Sequence, residues 1–151
     1  MKLKVNESAW QVPKHAGPSR LQTTVKEKEI VTQVGDLSDA GIIQPSIAAH
    51  YSQVHLTPKP HQPDKWRFCI DFRWLNLVTE TIGQWIPNIS QLINRIGAAK
   101  PTVFGVLDLT SGYYQAPLHL DSLAYTAFRC CVGIYEWTRV PMGLKGAPAY
   151  S

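Results

Sequence analysis

Apolar residues recur along the chain at two different periods. Over residues 21–41, Val25, Ile30, Val34 and Leu37 fall near one face at helical spacing. This predicts a helix that Gly41 ends, with Gly35 lowering its propensity. Residues 54–60 and 66–73 read as two strands joined by His61 to Lys65. In the second, Trp66, Phe68, Ile70 and Phe72 alternate with Arg67, Cys69, Asp71 and Arg73, giving one apolar face and one mostly charged face. Residues 88–96 return to the helical period, with Ile89, Leu92, Ile93 and Ile96 on one side and Gly97 as a stop. Val103 to Leu109 is an apolar run broken by one acid and reads as a buried strand, with Asp108 facing the same way as Phe104 and Val106. Residues 126–140 read as a hairpin turning near Gly133, with Phe128, Tyr135 and Trp137 in its strands.

The ends carry weaker patterns. Pro13, Gly17 and Pro18 among polar residues predict an extended, loosely attached arm over residues 1–20. Pro141 to Leu144 interrupts the hairpin pattern, and Gly146-Ala147-Pro148 opens a helix. The sequence halts at Ser151 inside that element, as a fragment would.

Composition narrows the class. With 151 residues, 44% hydrophobic content and five Trp, the chain has enough apolar material for one domain with a core. No run of eighteen apolar residues occurs, which argues against a membrane span. The start MKLKVNESAW has no apolar stretch behind its lysines and does not read as a signal peptide. The expected location is intracellular, with cytoplasm and nucleus not distinguished. Cys69, Cys130 and Cys131 form no C-x-x-C pair, so buried free thiols are expected rather than a zinc site or disulfides. The net charge of +4 permits a polyanionic partner without demanding one.

Candidate chemistry begins with Asp108. A carboxylate in a buried strand is costly unless it is paired, hydrogen-bonded or bound to a metal. The competing reading is a structural Asp at the turn Thr110-Ser111-Gly112, and local pattern alone favours it. A P-loop NTPase is excluded, because G-x-x-x-x-G-K-S/T is absent. Arg67, on a strand beside a flexible hairpin, suits phosphate oxygens by charge and fork geometry, and Lys59 adds a point charge. An exposed basic hairpin explains the same residues equally well. Gly112-Tyr113-Tyr114-Gln115 offers aromatic faces, either as core packing or as a surface for a base or sugar.

The order of these pieces decides between the readings. Lys65-Trp66-Arg67-Phe68-Cys69-Ile70-Asp71-Phe72-Arg73-Trp74-Leu75-Asn76 resembles the reverse transcriptase fingers motif W-R-x-C-x-D-Y/F-R-x-L-N. Gly41 to Ser46 resembles G-I-I-x-P-S, and Ile86-Pro87 through Leu92 resembles the P-I-P-x-x-x-x-L segment. Val106 to Gln115 resembles the first catalytic motif, x-L-D-L-x-S-G-Y-x-Q. Thr126-Ala127-Phe128, Gly133, Tyr135-Glu136-Trp137 and Pro141 to Pro148 resemble T-A-F, G-x-Y-E-F/W and P-x-G-L-x-x-A-P in turn. The resemblance covers residues 36–151 and is strongest to the polymerases of gypsy-type LTR retrotransposons.

The resemblance implies an α+β fold: reverse-transcriptase-like fingers plus a partial palm of the right-hand DNA/RNA polymerase fold. Residues 1–35 would be an arm and the start of a fingers helix, 36–100 the fingers, and 101–151 a partial palm. The implied function is RNA-directed DNA polymerase of a retroelement, using two Mg²⁺ ions. Asp108 matches the first of three palm carboxylates. The other two belong to a Y-x-D-D hairpin that this sequence lacks, so the two-metal site is incomplete and the chain alone is expected to be inactive. Arg67 would hold the incoming triphosphate with Lys59 assisting, and main-chain groups from Leu109 to Tyr113 would flank metal and triphosphate. Tyr113 matches the residue under the sugar, Met142 a position near the nucleotide, and Gly143 and Lys145 nucleic-acid contacts. Implied partners are an RNA or DNA template with primer, deoxynucleoside triphosphates, and the remainder of a polyprotein (palm, thumb, RNase H, integrase). Two departures are Pro60-His61-Gln62-Pro63-Asp64 in place of a lysine-aspartate-glycine tip, and Gln84-Trp85-Ile86-Pro87 in place of Y-P-I-P. The rival is a dead relic or a nucleic-acid-binding fragment.

Overall fold

In the computed structural model, residues 1–11, 16–81 and 88–147 are described. In chain order their elements are helix α1 (Glu7–Trp10), helix α2 (Thr24–Asp39), strands β1 (Ile43–Pro45), β2 (Ser52–Lys59) and β3 (Gln62–Ile70), helices α3 (Arg73–Val78), α4 (Ile89–Ala99) and α5 (Gly112–Gln115), and strands β4 (Phe128–Cys130) and β5 (Gly133–Trp137). The content is α+β, as expected.

The alternation over Trp66 to Ile70 does produce a strand. β2 and β3 pair antiparallel, with Leu56 opposite Phe68 and Thr57 opposite Arg67. Their connection is tighter than the five residues expected, because Gln62 to Lys65 already belong to β3. His61 makes the reversal at φ 59, a left-handed conformation that His adopts more readily than most side chains. The strand also stops earlier than expected, at Ile70. Asp71 accepts a hydrogen bond from the Arg73 backbone N–H at 3.3 Å, and the chain turns there into α3, which the alternation had concealed.

The strand order is β1-β5-β4-β2-β3. Every pair is antiparallel except β2 with β4. The sheet therefore joins strands from both sides of residue 100. α2 packs on it through buried Ile30 and Val34 and ends at Gly41, whose φ of +67 an L side chain rarely adopts. Phe128 sits at the centre of the core, edge-on to Phe68 at 5.6 Å and tilted against Trp137 at 5.9 Å. Such aromatic pairs add roughly 0.5–1.5 kcal/mol beyond the area they bury.

Three expectations fail here. The first residues are not loosely attached. Leu3 and Trp10 are buried. The Met1 ammonium donates to the Pro117 carbonyl at 2.6 Å, and the Leu3 N–H donates to Ser122 Oγ at 2.9 Å. The Asn6 N–H donates to the Val78 carbonyl at 2.9 Å. The segment thus staples α3 to the loop before β4, which sparse apolar spacing could not reveal. Second, Val103 to Leu109 is neither a strand nor buried: Val106 is 91% and Leu107 100% exposed. α4 forms, capped by Asn88, whose side chain accepts from the Gln91 N–H, and it runs past Gly97 to Ala99. Its apolar stripe, Ile89, Leu92, Ile93 and Ile96, is nonetheless exposed. Both patterns are those of buried elements, but no described residue covers them. Third, Cys130 is buried and Cys69 half-buried, whereas Cys131 is exposed in the β4–β5 turn. Ile86-Pro87 with its departure at 84–87, and most of the helix expected from Gly146, lie outside the described residues.

Candidate functional site

The β2–β3 hairpin places Lys59, Lys65 and Arg67 along one wall of a groove of about 670 Å³. Glu29 and Asp36 of α2 line the groove as well, and Tyr114 and Met142 complete it. Alternation explains Arg67: neighbouring Trp66 and Phe68 pack against the core cluster, so the guanidinium projects the other way. Gln33 ties the walls together, donating from Nε2 to the Trp66 carbonyl at 3.3 Å and to Glu29 Oε1 at 2.5 Å. Lys26 stands 5.1 Å over the Trp66 ring. Arg67 and Lys59 are exposed and form no ion pair among the described residues. Two exposed cationic side chains with no paired carboxylate, in a groove also lined by aromatic rings, favour an anionic ligand with a flat portion.

Asp108, Leu109 and Tyr113 do not line this groove. Asp108 is exposed in irregular chain and shares no strand face with Phe104 or Val106. Ser111, at φ 53, turns the chain into α5. Tyr113 is half-buried against the core. The neighbouring Tyr114 reaches the groove and stacks on Trp137 at 5.6 Å, and burial pushes its phenol pKa upward. Among the described residues no three His, Cys, Asp or Glu side chains gather where they could hold a metal ion. Asp108 contributes one carboxylate, which does not make a two-ion site.

A second cavity, of about 430 Å³, is lined by Arg20, His55, Asp71, Arg73, Asn76 and Gly143 among others. Cys69 lines both. Arg73 donates to Asp71 through Nε at 2.8 Å and a terminal nitrogen at 2.6 Å, a two-pronged contact. That contact holds the Asp71 carboxyl below its ordinary value, against a smaller upward effect of burial. The charged residues expected on one strand face therefore divide: Arg67 on β3 is open, whereas Arg73, at the start of α3, is occupied by its own neighbour. Lys145 is occupied too, its ammonium donating to the Thr79 carbonyl at 2.8 Å. Gly143, at φ +95, turns the chain between Met142, which faces the groove, and Lys145. Sequence reasoning missed Gln33 and Asn76, and offered Tyr114 only as one of two aromatics that could either pack or face a base or sugar. The motif around Trp66 does end on Asn76, but nothing in it says what that side chain holds.

Residues 57–151 match the family model described as reverse transcriptase (RNA-dependent DNA polymerase). Pol polyproteins from the Drosophila melanogaster transposons opus and 412 are 38% and 37% identical over 124 and 125 residues. Each alignment covers 80% of this chain, but only 12% and 10% of those polyproteins. Among solved structures, foamy viral protease-reverse transcriptase in complex with an RNA/DNA hybrid superposes with a TM-score of 0.70 at 22% identity, covering 89% of this chain and 18% of that one. The complex with dsDNA gives 0.66 at 26% identity, covering 87% and 27%. The fold, the order of the motifs and these matches agree: the chain belongs to the reverse transcriptase family.

Proposed function

We propose that this chain forms the fingers and the start of the palm of the RNA-directed DNA polymerase of a gypsy-type LTR retrotransposon, and that its groove receives the incoming deoxynucleoside triphosphate. The observation that carries this is the convergence on one groove of Lys59 and Arg67, from one hairpin, with Met142, distant in sequence. The Arg67 fork would engage two phosphate oxygens at once, and Lys59 and Lys65 would add charge at the mouth. Met142 and the Tyr114 ring would offer apolar surface to the base or sugar. The template and primer are proposed as partners on the strength of the foamy viral complexes with dsDNA and RNA/DNA hybrid.

Reverse transcriptases use Mg²⁺, which would orient the attacking hydroxyl and neutralise charge on the transferred phosphate. We assign Asp108 as one ligand, with the other donors in polypeptide beyond this segment. The exposed apolar stripe of α4 and the exposed run from Val103 to Leu109 support the presence of such covering polypeptide, not the ligand role itself. The remaining polyprotein (thumb, RNase H and integrase) is proposed with it, acting inside the cell. The test is primer extension by the polymerase that carries this segment. Asp108→Asn keeps shape and removes charge, so extension should fall to background while the protein stays folded and binds duplex. Extension at the unsubstituted rate would overturn the assignment. An unsubstituted enzyme with no extension would place the element among dead relics.

A further inference from the structure

Met142 and Gly143 form a turn between the two cavities: Met142 lines the groove and Gly143 lines the smaller cavity. The turn is anchored on both sides by buried residues, Val140 and Pro141 before it and Leu144 after it. Met142 itself is 70% exposed. A side chain from a different element bonds across the tip of this turn. Asn76, on α3, donates from Nδ2 to the Gly143 carbonyl at 2.8 Å, and its Oδ1 accepts from the Lys145 N–H at 2.7 Å. Both ends of one carboxamide are thus engaged across the tip. Lys145 adds a second tie to the same helix through the Thr79 carbonyl just past its end, and Thr79 in turn donates to the Leu75 carbonyl at 2.6 Å.

We infer that Asn76 is a positioning residue that fixes the Met142–Gly143 turn, and through it the nucleotide-facing wall of the groove. This rests on the function proposed above. The chemistry is specific to a short carboxamide. Asp keeps the acceptor for the Lys145 N–H but cannot donate, and would set a carboxylate oxygen against the Gly143 carbonyl. Gln has both functions on a stem one methylene longer, and Ala has neither. Because Gly143 already occupies a left-handed conformation, release of the clamp frees a turn that its own backbone does not pin. Asn76 does not line the groove, so its effect on nucleotide is carried by the turn.

Two readouts test this. Met1 and Met142 are the methionines of the chain, so methyl-labelled methionine gives an NMR spectrum with an internal control. In the chain itself, Asn76→Ala should move or broaden the Met142 methyl resonance and leave Met1 in place, with Asn76→Asp intermediate. A Met142 resonance unchanged in a variant that merely melts earlier would overturn the inference. In the polymerase carrying this segment, Asn76→Ala should raise the nucleotide KM about tenfold, roughly the effect of one net hydrogen bond, with kcat and duplex affinity near the unsubstituted values. If Arg67→Ala raises KM and Asn76→Ala does not, the positioning role is wrong while the groove assignment stands. If neither raises it, the groove is not the nucleotide's and the inference falls with that reading.

Discussion

Removing the Arg67 guanidinium should weaken use of the nucleotide and little else. Arg67 is exposed on β3 opposite Thr57, and its side chain makes no hydrogen bond or ion pair among the described residues. Arg67→Ala therefore deletes no fold contact of that kind, and its stability cost should stay within about 0.5 kcal/mol. Its contribution to a bound triphosphate is a pair of charge-assisted hydrogen bonds, of which one is worth roughly 1.5–3 kcal/mol. Water replaces part of the two-pronged contact when it is lost, so the net loss is about that of one such bond; at about 1.4 kcal/mol per factor of ten, the nucleotide KM rises by about ten- to a hundredfold. The groove is open to water and also lined by Glu29 and Asp36, which places the effect toward the lower end of that range. The assay is steady-state primer extension by the polymerase carrying this segment, with nucleotide and primer-template titrated separately, alongside a thermal melt. A nucleotide KM unchanged by Arg67→Ala, with duplex affinity lost instead, would refute the reasoning and make Arg67 a backbone contact.

Tyr113→Val should retain DNA synthesis while admitting ribonucleotides more readily, read as the ratio of ribo- to deoxynucleotide incorporation. If it only lowers the melting temperature, with sugar discrimination unaltered, the half-buried ring is a packing residue and the groove's aromatic surface comes from Trp66, Phe68 and Tyr114. The Asp71–Arg73 contact predicts an acid-side effect. Because Arg73 depresses the folded-state pKa of Asp71, the contact contributes stability above the unfolded-state value, and that contribution is lost as pH falls through the folded one. Asp71→Asn should therefore flatten the melting temperature's dependence on pH at the acid end, and an unchanged dependence would show that the contact does not hold in solution.

Features whose signal is local were legible from the order of residues. The two-residue alternation through Trp66, Phe68 and Ile70 set the faces of β3 and sent Arg67 away from the core. The spacing of Ile30 and Val34 set the buried side of α2, and Gly41 its end. The order of the motifs identified the family before any contact was known. Other features depended on residues far apart in sequence, which periodicity does not report. α3 was hidden because the alternation ran on through Phe72 while the Asp71 side chain had already redirected the backbone. Tyr113 and Tyr114 are equivalent by composition, and only the stacking of Tyr114 on Trp137 decides which reaches the groove. Asn76 reads as one polar residue among many until its carboxamide meets Gly143 and Lys145. Val103 to Leu109 shows the limit most plainly: an apolar pattern states that a segment is suited to burial, but burial needs a covering surface, and no described residue covers that run.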